Sequence, residues 1–170
     1  AIIQGDRGQL ARAITLVESS LPQDRIASRE LLAQLLPHTG SSMRIGISGS
    51  PGVGKSTFIN TLGKYLVHQK DYSLAVLSIA PTSYTRGGSI LGDKTRMHDI
   101  SRHPSVFIRP SPSKGALGGL ALRTYETLLL CEAAGYTVVI IETVGVGQSE
   151  KSVVPLVDTL VLLLQGGAGD

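Results

Sequence analysis

Cysteine, tryptophan and long apolar runs are scarce in this chain. It has one cysteine and no tryptophan among 170 residues, and only 4% of them are aromatic. The single thiol of Cys131 excludes an internal disulfide, so we expect it to pack in the core of a protein from a reducing compartment. No apolar run reaches the roughly 20 residues that span a bilayer, and no secretory signal peptide is evident. We therefore expect no membrane partner and a cytoplasmic location, or the mitochondrial matrix in a eukaryote.

Charge of either sign is also limited. Charged residues make up 17% of the chain against 42% hydrophobic residues, a balance typical of a folded globular protein. The net charge of +3 comes without a dense run of lysine and arginine, so a nucleic-acid partner is not indicated. The chain lacks an initiator methionine and stops at Asp170, directly after an apolar segment, which leads us to expect a fragment of a longer protein.

The most informative segment is a glycine-rich loop, GSPGVGKST at 49–57, which fits the phosphate-binding pattern G-x-x-x-x-G-K-[ST]. Glycines let the backbone turn so that its N–H groups face a phosphate chain. In this pattern Lys55 reaches the β- and γ-phosphates, and the Ser56 hydroxyl is a ligand for Mg²⁺. The predicted nucleotide-binding residues are Gly49, Ser50, Pro51, Gly52, Val53, Gly54, Lys55, Ser56 and Thr57.

The flanking sequence supports this interpretation. Residues 43–48 are typical of a strand that runs into the loop, and 57–68 of a helix that leaves it, with Phe58, Leu62 and Leu66 on one face. A helix N-terminus adds partial positive charge at the same place. The motif predicts a nucleoside triphosphate but does not distinguish GTP from ATP.

Strands and helices alternate along the rest of the chain. Helices are predicted at 9–20, 24–36, 90–100 and 120–134, and strands at 73–79, 106–108, 138–141 and 157–164. The pattern predicts an α/β fold, a P-loop NTPase with a mostly parallel central sheet flanked by helices. We expect residues 1–42 to form an N-terminal helical appendage and residues 43–170 the nucleotide-binding domain.

Two further segments carry candidate ligands for a phosphate-bound metal. Glu142 ends an apolar strand, where a carboxylate can serve Mg²⁺ directly or through water, although a helix cap or ion pair would also suit it. Gly145 can bring a backbone N–H to the γ-phosphate, which would make 143–150 a switch loop. Asp93 is a weaker metal candidate and Arg96 a weaker phosphate contact, since mixed charges usually mark a solvated helix face.

Several longer motifs, read together, carry a resemblance to a known family. They are SILGDKTRM at 89–97, FIRPSP at 107–112, LCEAAGY at 130–136 and ETVGVGQSE at 142–150. With the P-loop, this order resembles the GTPase chaperones of adenosylcobalamin-dependent methylmalonyl-CoA mutase, also named lysine/arginine/ornithine transport ATPases or kinases. The resemblance runs from about residue 10 to residue 170.

The resemblance implies a SIMIBI-type G domain that binds GTP or GDP with Mg²⁺ and acts as a homodimer on an acyl-CoA mutase. Such proteins gate cofactor loading and protect or reactivate the mutase. The implied metal site consists of Ser56, Asp93, Glu142 and Thr143, and the implied catalytic residues are Lys55, Asp93 and Glu142. Arg96 is implied as a nucleotide contact, and 145–150 as the second switch.

Two departures from the family pattern concern the metal site. The second strand usually ends in Val-Asp-Pro-Ser-Ser, but 79–83 here is IAPTS, so Ala80 stands where a carboxylate is expected. Arg86 stands where threonine usually precedes the glycine pair. The guanine-reading motif Asn-Lys-x-Asp is expected beyond Asp170. An ATP-dependent phosphotransferase or transport ATPase, or a nucleotide-binding module with weak hydrolysis, therefore remain alternatives.

Overall fold

The fold is a parallel five-stranded sheet with helices on its faces, which confirms the predicted fold class. The computed structural model describes residues 1–80, 97–112, 117–143 and 148–167. Its strands are β1 (Met43–Gly49), β2 (Leu74–Ala80), β3 (Val106–Pro112), β4 (Val138–Thr143) and β5 (Thr159–Leu163). Its α-helices are α1 (Arg7–Glu18), α2 (Pro22–Leu35), α3 (Lys55–Gln69), α4 (His98–Ser101), α5 (Leu117–Ala133) and α6 (Gln148–Val153). Short 3₁₀ turns lie at Ile2–Gln4, Leu36–His38 and Val154–Leu156.

The strand order is β3-β2-β4-β1-β5, and the four strand pairs are all parallel. β1 pairs with β4 from Met43 opposite Val138 to Ile47 opposite Glu142. β2 pairs with the other edge of β4, with Ser78 opposite Glu142. The carboxyl ends of β1, β2 and β4 therefore meet at one edge of the sheet.

Two hydrophobic cores lie on opposite faces of this sheet. β4 is buried along its whole length, as expected for a strand covered on both faces. Ile47, Val76 and Ile140 face α3 and α4, whereas Leu77, Val139 and Ile141 face α1 and α5. Within the described helices, none is long and apolar enough to cross a membrane.

The N-terminal helices join the second of these cores. Leu10, Ala13, Ile14 and Val17 of α1 are all buried, as their spacing predicts. The Asp6 side chain caps α1 by accepting a hydrogen bond from the Gln9 N–H at 3.0 Å. The N-terminal segment thus shares a core with the sheet, while a domain boundary at residue 42 stays a prediction.

The packed face of α3 differs from the predicted one, and the edge strand β5 is only partly buried. On α3 the buried positions are Ile59, Gly63, Leu66 and Val67, whereas Phe58 is 37% exposed. The packed stripe is therefore displaced by one position from the predicted 58, 62, 66 face. β5 is an edge strand, and its apolar residues Leu160 and Leu162 remain exposed at 37% and 49%.

A buried ion pair fixes the strand that precedes the P-loop. Glu132 on α5 has a fully buried side chain and accepts two hydrogen bonds from the Arg44 guanidinium, at 2.7 and 3.0 Å. The Gly40 N–H donates to the same carboxylate at 2.8 Å. The hydrogen bond to Glu132 is the main reason that the pKa of Arg44 is raised. One carboxylate thus joins α5, β1 and the connection between α2 and β1.

We predict that Glu132→Ala lowers the free energy of unfolding by about 3 kcal/mol, because it leaves a partly buried guanidinium and a backbone N–H without their acceptor. Denaturant titration monitored by circular dichroism measures this change. Lys64→Ala is the control, since it breaks the Lys64–Asp99 pair, whose side chains are about half exposed. An equal effect of the two substitutions would contradict the structural role of Glu132.

Candidate nucleotide-binding site

The loop between β1 and α3 has a backbone that glycine alone adopts easily. Gly49, Gly52 and Gly54 have φ angles of 149°, 82° and 97°. A Cβ atom at Gly49 would lie 2.5 Å from the carbonyl oxygen of Leu163, so β5 packs against the first loop glycine. The positive φ at Gly54 lets the chain turn directly into α3. The predicted P-loop conformation therefore follows from the positions of these glycines.

The first turn of α3 offers backbone donors to an anion. Gly54 is the N-cap residue and supplies no side-chain cap, and the first turn contains no acidic residue. Helices carry partial positive charge at this end, and backbone N–H groups there point along the axis. The loop and the helix together form the arrangement that binds phosphate groups in P-loop proteins.

Lys55 lies over this loop. Its side chain is buried, and its Nζ donates hydrogen bonds to the carbonyls of Gly49 at 2.6 Å and Ser50 at 3.0 Å. These contacts hold the ammonium group against the backbone of the loop. The positive charge therefore lies at the loop that is predicted to bind the phosphates of a nucleotide.

Glu142 lies beside the first turn of α3. Its Oε1 accepts a hydrogen bond from the Ser56 hydroxyl at 3.4 Å, and its Oε2 accepts one from the Ser78 hydroxyl at 3.1 Å. The residue is only 5% exposed. The structure therefore brings together two of the four residues that were predicted around the metal.

The side chain of Thr143 lies on the opposite face of the sheet, because successive residues of a strand point to opposite sides. Its hydroxyl donates to Ser48 Oγ at 2.8 Å and lies 3.5 Å from the Ile47 carbonyl oxygen. The Thr143 hydroxyl and the Ser56–Glu142 pair therefore lie on opposite faces of the sheet. Its assignment as a metal ligand stays a prediction, and its observed contact ties the end of β4 to β1.

Asp93, Arg96 and Gly145 lie outside the described residues, so their positions are not part of this geometry. Outside this site, Arg109 of β3 forms a largely buried ion pair with Glu18 of α1 at 2.6 Å. Within the described ranges, no group of three His, Cys, Asp or Glu residues is arranged to hold a metal.

The residues present fit Mg²⁺, which prefers oxygen ligands and retains several waters. A serine hydroxyl and a carboxylate oxygen lie 3.4 Å apart beside the P-loop lysine. Sequence reasoning identified both groups but missed Ser48 and Ser78, which are buried hydroxyls inside apolar strands. The sequence feature that could have identified them is a polar residue near the end of an otherwise apolar strand.

The fold and the site define a P-loop nucleotide-binding protein of the GTPase-like class. A family model described as "Methylmalonyl Co-A mutase-associated GTPase MeaB" matches residues 10–170. Because the match covers nearly the whole chain, the chain belongs to this GTPase family.

Named relatives agree with this assignment. The chain is 57% identical over 169 residues to a putative GTPase of Caulobacter vibrioides, covering 99% of this chain and 52% of the relative. It is 51% identical to GTPase ArgK of Escherichia coli, covering 98% and 50%. It is 48% identical to the mitochondrial methylmalonic aciduria type A homolog of Mus musculus, covering 99% and 43%. The chain thus spans about half the length of the curated relatives it matches.

A solved structure shows the same fold. The crystal structure of an LAO/AO transport system kinase superposes with a TM-score of 0.79 at 42% identity, covering 96% of this chain and 47% of that chain. The signal recognition particle receptor FtsY of Elizabethkingia anophelis gives a TM-score of 0.51 at 23% identity over 83% of this chain and 49% of that chain, which is a likeness of fold alone.

We predict that Lys55→Ala weakens binding of Mg²⁺–GTP severely, by at least about 100-fold, since it removes the mobile cation at the triphosphate and leaves the loop backbone intact. Isothermal titration calorimetry of the intact protein measures the affinity. Lys64→Ala on the same helix is the control and should bind as the wild type does. Unchanged affinity in Lys55→Ala would refute the P-loop assignment.

Proposed function

We propose that this protein is a GTP-binding and GTP-hydrolysing chaperone for an adenosylcobalamin-dependent acyl-CoA mutase. In this role it gates cofactor loading and protects or reactivates the mutase. The observation that carries the proposal is the match of residues 10–170 to the mutase-associated GTPase family. The site geometry supports it, because the phosphate loop and a carboxylate lie at the same edge of the sheet.

Different residues of the site are proposed to bind the phosphates and the metal ion. The backbone of the P-loop and Lys55 would hold the phosphates, and Ser56 and Glu142 would hold Mg²⁺, which when bound neutralises charge on the phosphate oxygens. Asp93 is proposed as a further metal and catalytic residue. Arg96 and Gly145 are proposed as nucleotide contacts.

The proposed switch begins where β4 ends. Thr143 is tied to Ser48, the residue directly before the P-loop, by a hydrogen bond of 2.8 Å. A change at the γ-phosphate would therefore act close to the start of the proposed switch, residues 143–150. Its release after hydrolysis would follow the order-to-disorder behaviour of nucleotide-dependent regulators.

We predict that hydrogen exchange across residues 145–150 differs between the GDP-bound protein and the protein bound to a non-hydrolysable GTP analogue. Affinity for the mutase should change in step with exchange. Mass spectrometry of the intact protein measures exchange, and a pull-down titration measures affinity. Identical exchange and identical mutase affinity in the two states would rule out this segment as the switch.

A second candidate function is an ATP-dependent phosphotransferase or transport ATPase. The name of the solved relative, LAO/AO transport system kinase, favours it. The two functions differ in nucleotide preference, so a direct comparison of GTP and ATP turnover distinguishes them. Turnover of GTP in preference to ATP, with phosphate released to water, supports a GTPase. Turnover of ATP with phosphate released to water would support a transport ATPase, and phosphate retained on an acceptor would support a kinase.

A nucleotide-binding module with weak hydrolysis is a third candidate function, and the lack of a carboxylate at Ala80 favours it. This residue ends β2, two positions after Ser78, where the family pattern carries a carboxylate.

We predict that Ala80→Asp lowers the Mg²⁺ concentration needed for half-maximal turnover or raises turnover, by roughly tenfold, because a charge-assisted contact contributes about 1.5–3 kcal/mol. Steady-state GTP hydrolysis across a Mg²⁺ titration measures both. If neither changes, Ala80 does not lie at the metal.

Assembly and location complete the proposal. We propose a homodimer in the cytoplasm, with the mitochondrial matrix as the location in a eukaryote, as the name of the mouse relative indicates for that protein. Sedimentation of the intact protein at several concentrations tests the dimer.

A further inference from the structure

Ser78 is a polar residue in an otherwise apolar segment. It is the fifth residue of β2, whose sequence is LAVLSIA, and it is only 2% exposed. Its neighbours Leu77 and Ile79 face the core formed with α1 and α5, and Val76 faces α3. A buried hydroxyl costs free energy unless it has a hydrogen-bond partner. A hydrogen-bond partner is therefore expected for the Ser78 hydroxyl.

The partner of Ser78 is the carboxylate of Glu142. The two residues lie directly opposite each other in the β2–β4 register. The Ser78 hydroxyl donates to Oε2 at 3.1 Å, and the Ser56 hydroxyl approaches the other oxygen, Oε1, at 3.4 Å. The Glu142 carboxylate is thus contacted by one hydroxyl from the sheet and one from the first turn of α3.

We propose that Ser78 is a positioning residue of the metal site, which aims Glu142 at Ser56. This inference rests on the proposed Mg²⁺-dependent nucleotide function. Glutamate has three side-chain torsions, and a hydrogen bond to one carboxylate oxygen restricts them before the metal arrives. The other oxygen is then directed toward the Ser56 hydroxyl and the P-loop. Ser78 does not contact the nucleotide phosphates in this proposal; it acts through Glu142.

Ser78→Ala removes the hydroxyl with little change in volume. Residues that orient metal ligands typically contribute about 10–100-fold to metal affinity or activity. We expect Ser78→Ala to raise the Mg²⁺ concentration for half-maximal binding of a non-hydrolysable GTP analogue by about tenfold. Binding of the analogue in EDTA should be unchanged, because the P-loop and Lys55 are left intact.

Two further variants separate positioning from packing. Ser78→Thr keeps the hydroxyl and should restore most of the Mg²⁺ response. Ser28→Ala is the matched control, since Ser28 is also a buried serine, with its hydroxyl bonded to the Arg25 carbonyl in α2. Thermal unfolding shows whether each variant is folded. If Ser78→Thr does not fold, the comparison of Ser78→Ala with and without Mg²⁺ still decides.

Calorimetric titration of the analogue into each intact variant, in Mg²⁺ and in EDTA, gives distinct outcomes. A loss confined to Mg²⁺ conditions supports the proposal. If Ser78→Ala loses equal affinity for the analogue in EDTA and in Mg²⁺, or loses none, the positioning role of Ser78 is wrong. The proposed function is not affected by that result as long as the wild type binds the analogue more tightly in Mg²⁺. If the wild type itself shows no Mg²⁺ response, the proposed metal site fails and the role of Ser78 fails with it.

Discussion

The parallel pairing of β1 with β4 is the constraint on which the site depends. It places Ile47 opposite Glu142, so the P-loop that follows β1 lies at the same edge of the sheet as the Glu142 carboxylate near the end of β4. Neither element forms a metal site alone. Because register in a buried sheet is fixed by which face each side chain occupies, a slip of one residue would turn Glu142 to the α1 side.

Hydroxyl groups beneath the P-loop connect the three strands of this edge. Ser78 of β2 donates to Glu142, and Thr143 of β4 donates to Ser48 of β1. These contacts lie on opposite faces of the sheet and are buried. They satisfy polar groups inside apolar strands, and they also fix the ends of the strands from which the phosphate loop and the proposed switch begin. Far from this edge, the Arg44–Glu132 pair anchors the start of β1.

The sequence predicted the parts of this arrangement that follow from local patterns. The buried stripe of α1, the strand at β4 and the loop glycines with positive φ were all visible as spacing or residue type. Strand order was not visible, since nothing local places β4 between β2 and β1. For the same reason the Ser78–Glu142 contact, between residues 64 positions apart, could not be anticipated. Phe58 was misassigned because tertiary packing selected a neighbouring stripe of α3.

The most direct test of the account is the Mg²⁺ dependence of nucleotide binding in Glu142→Gln. This substitution keeps the size of the side chain, removes its negative charge and replaces one of its two acceptor oxygens with an NH₂ donor. Calorimetric titration with a non-hydrolysable GTP analogue should show wild-type affinity in EDTA and loss of the Mg²⁺ enhancement, by about 10-fold or more. A full Mg²⁺ enhancement in Glu142→Gln would contradict the claim that β1 and β4 together build the metal site.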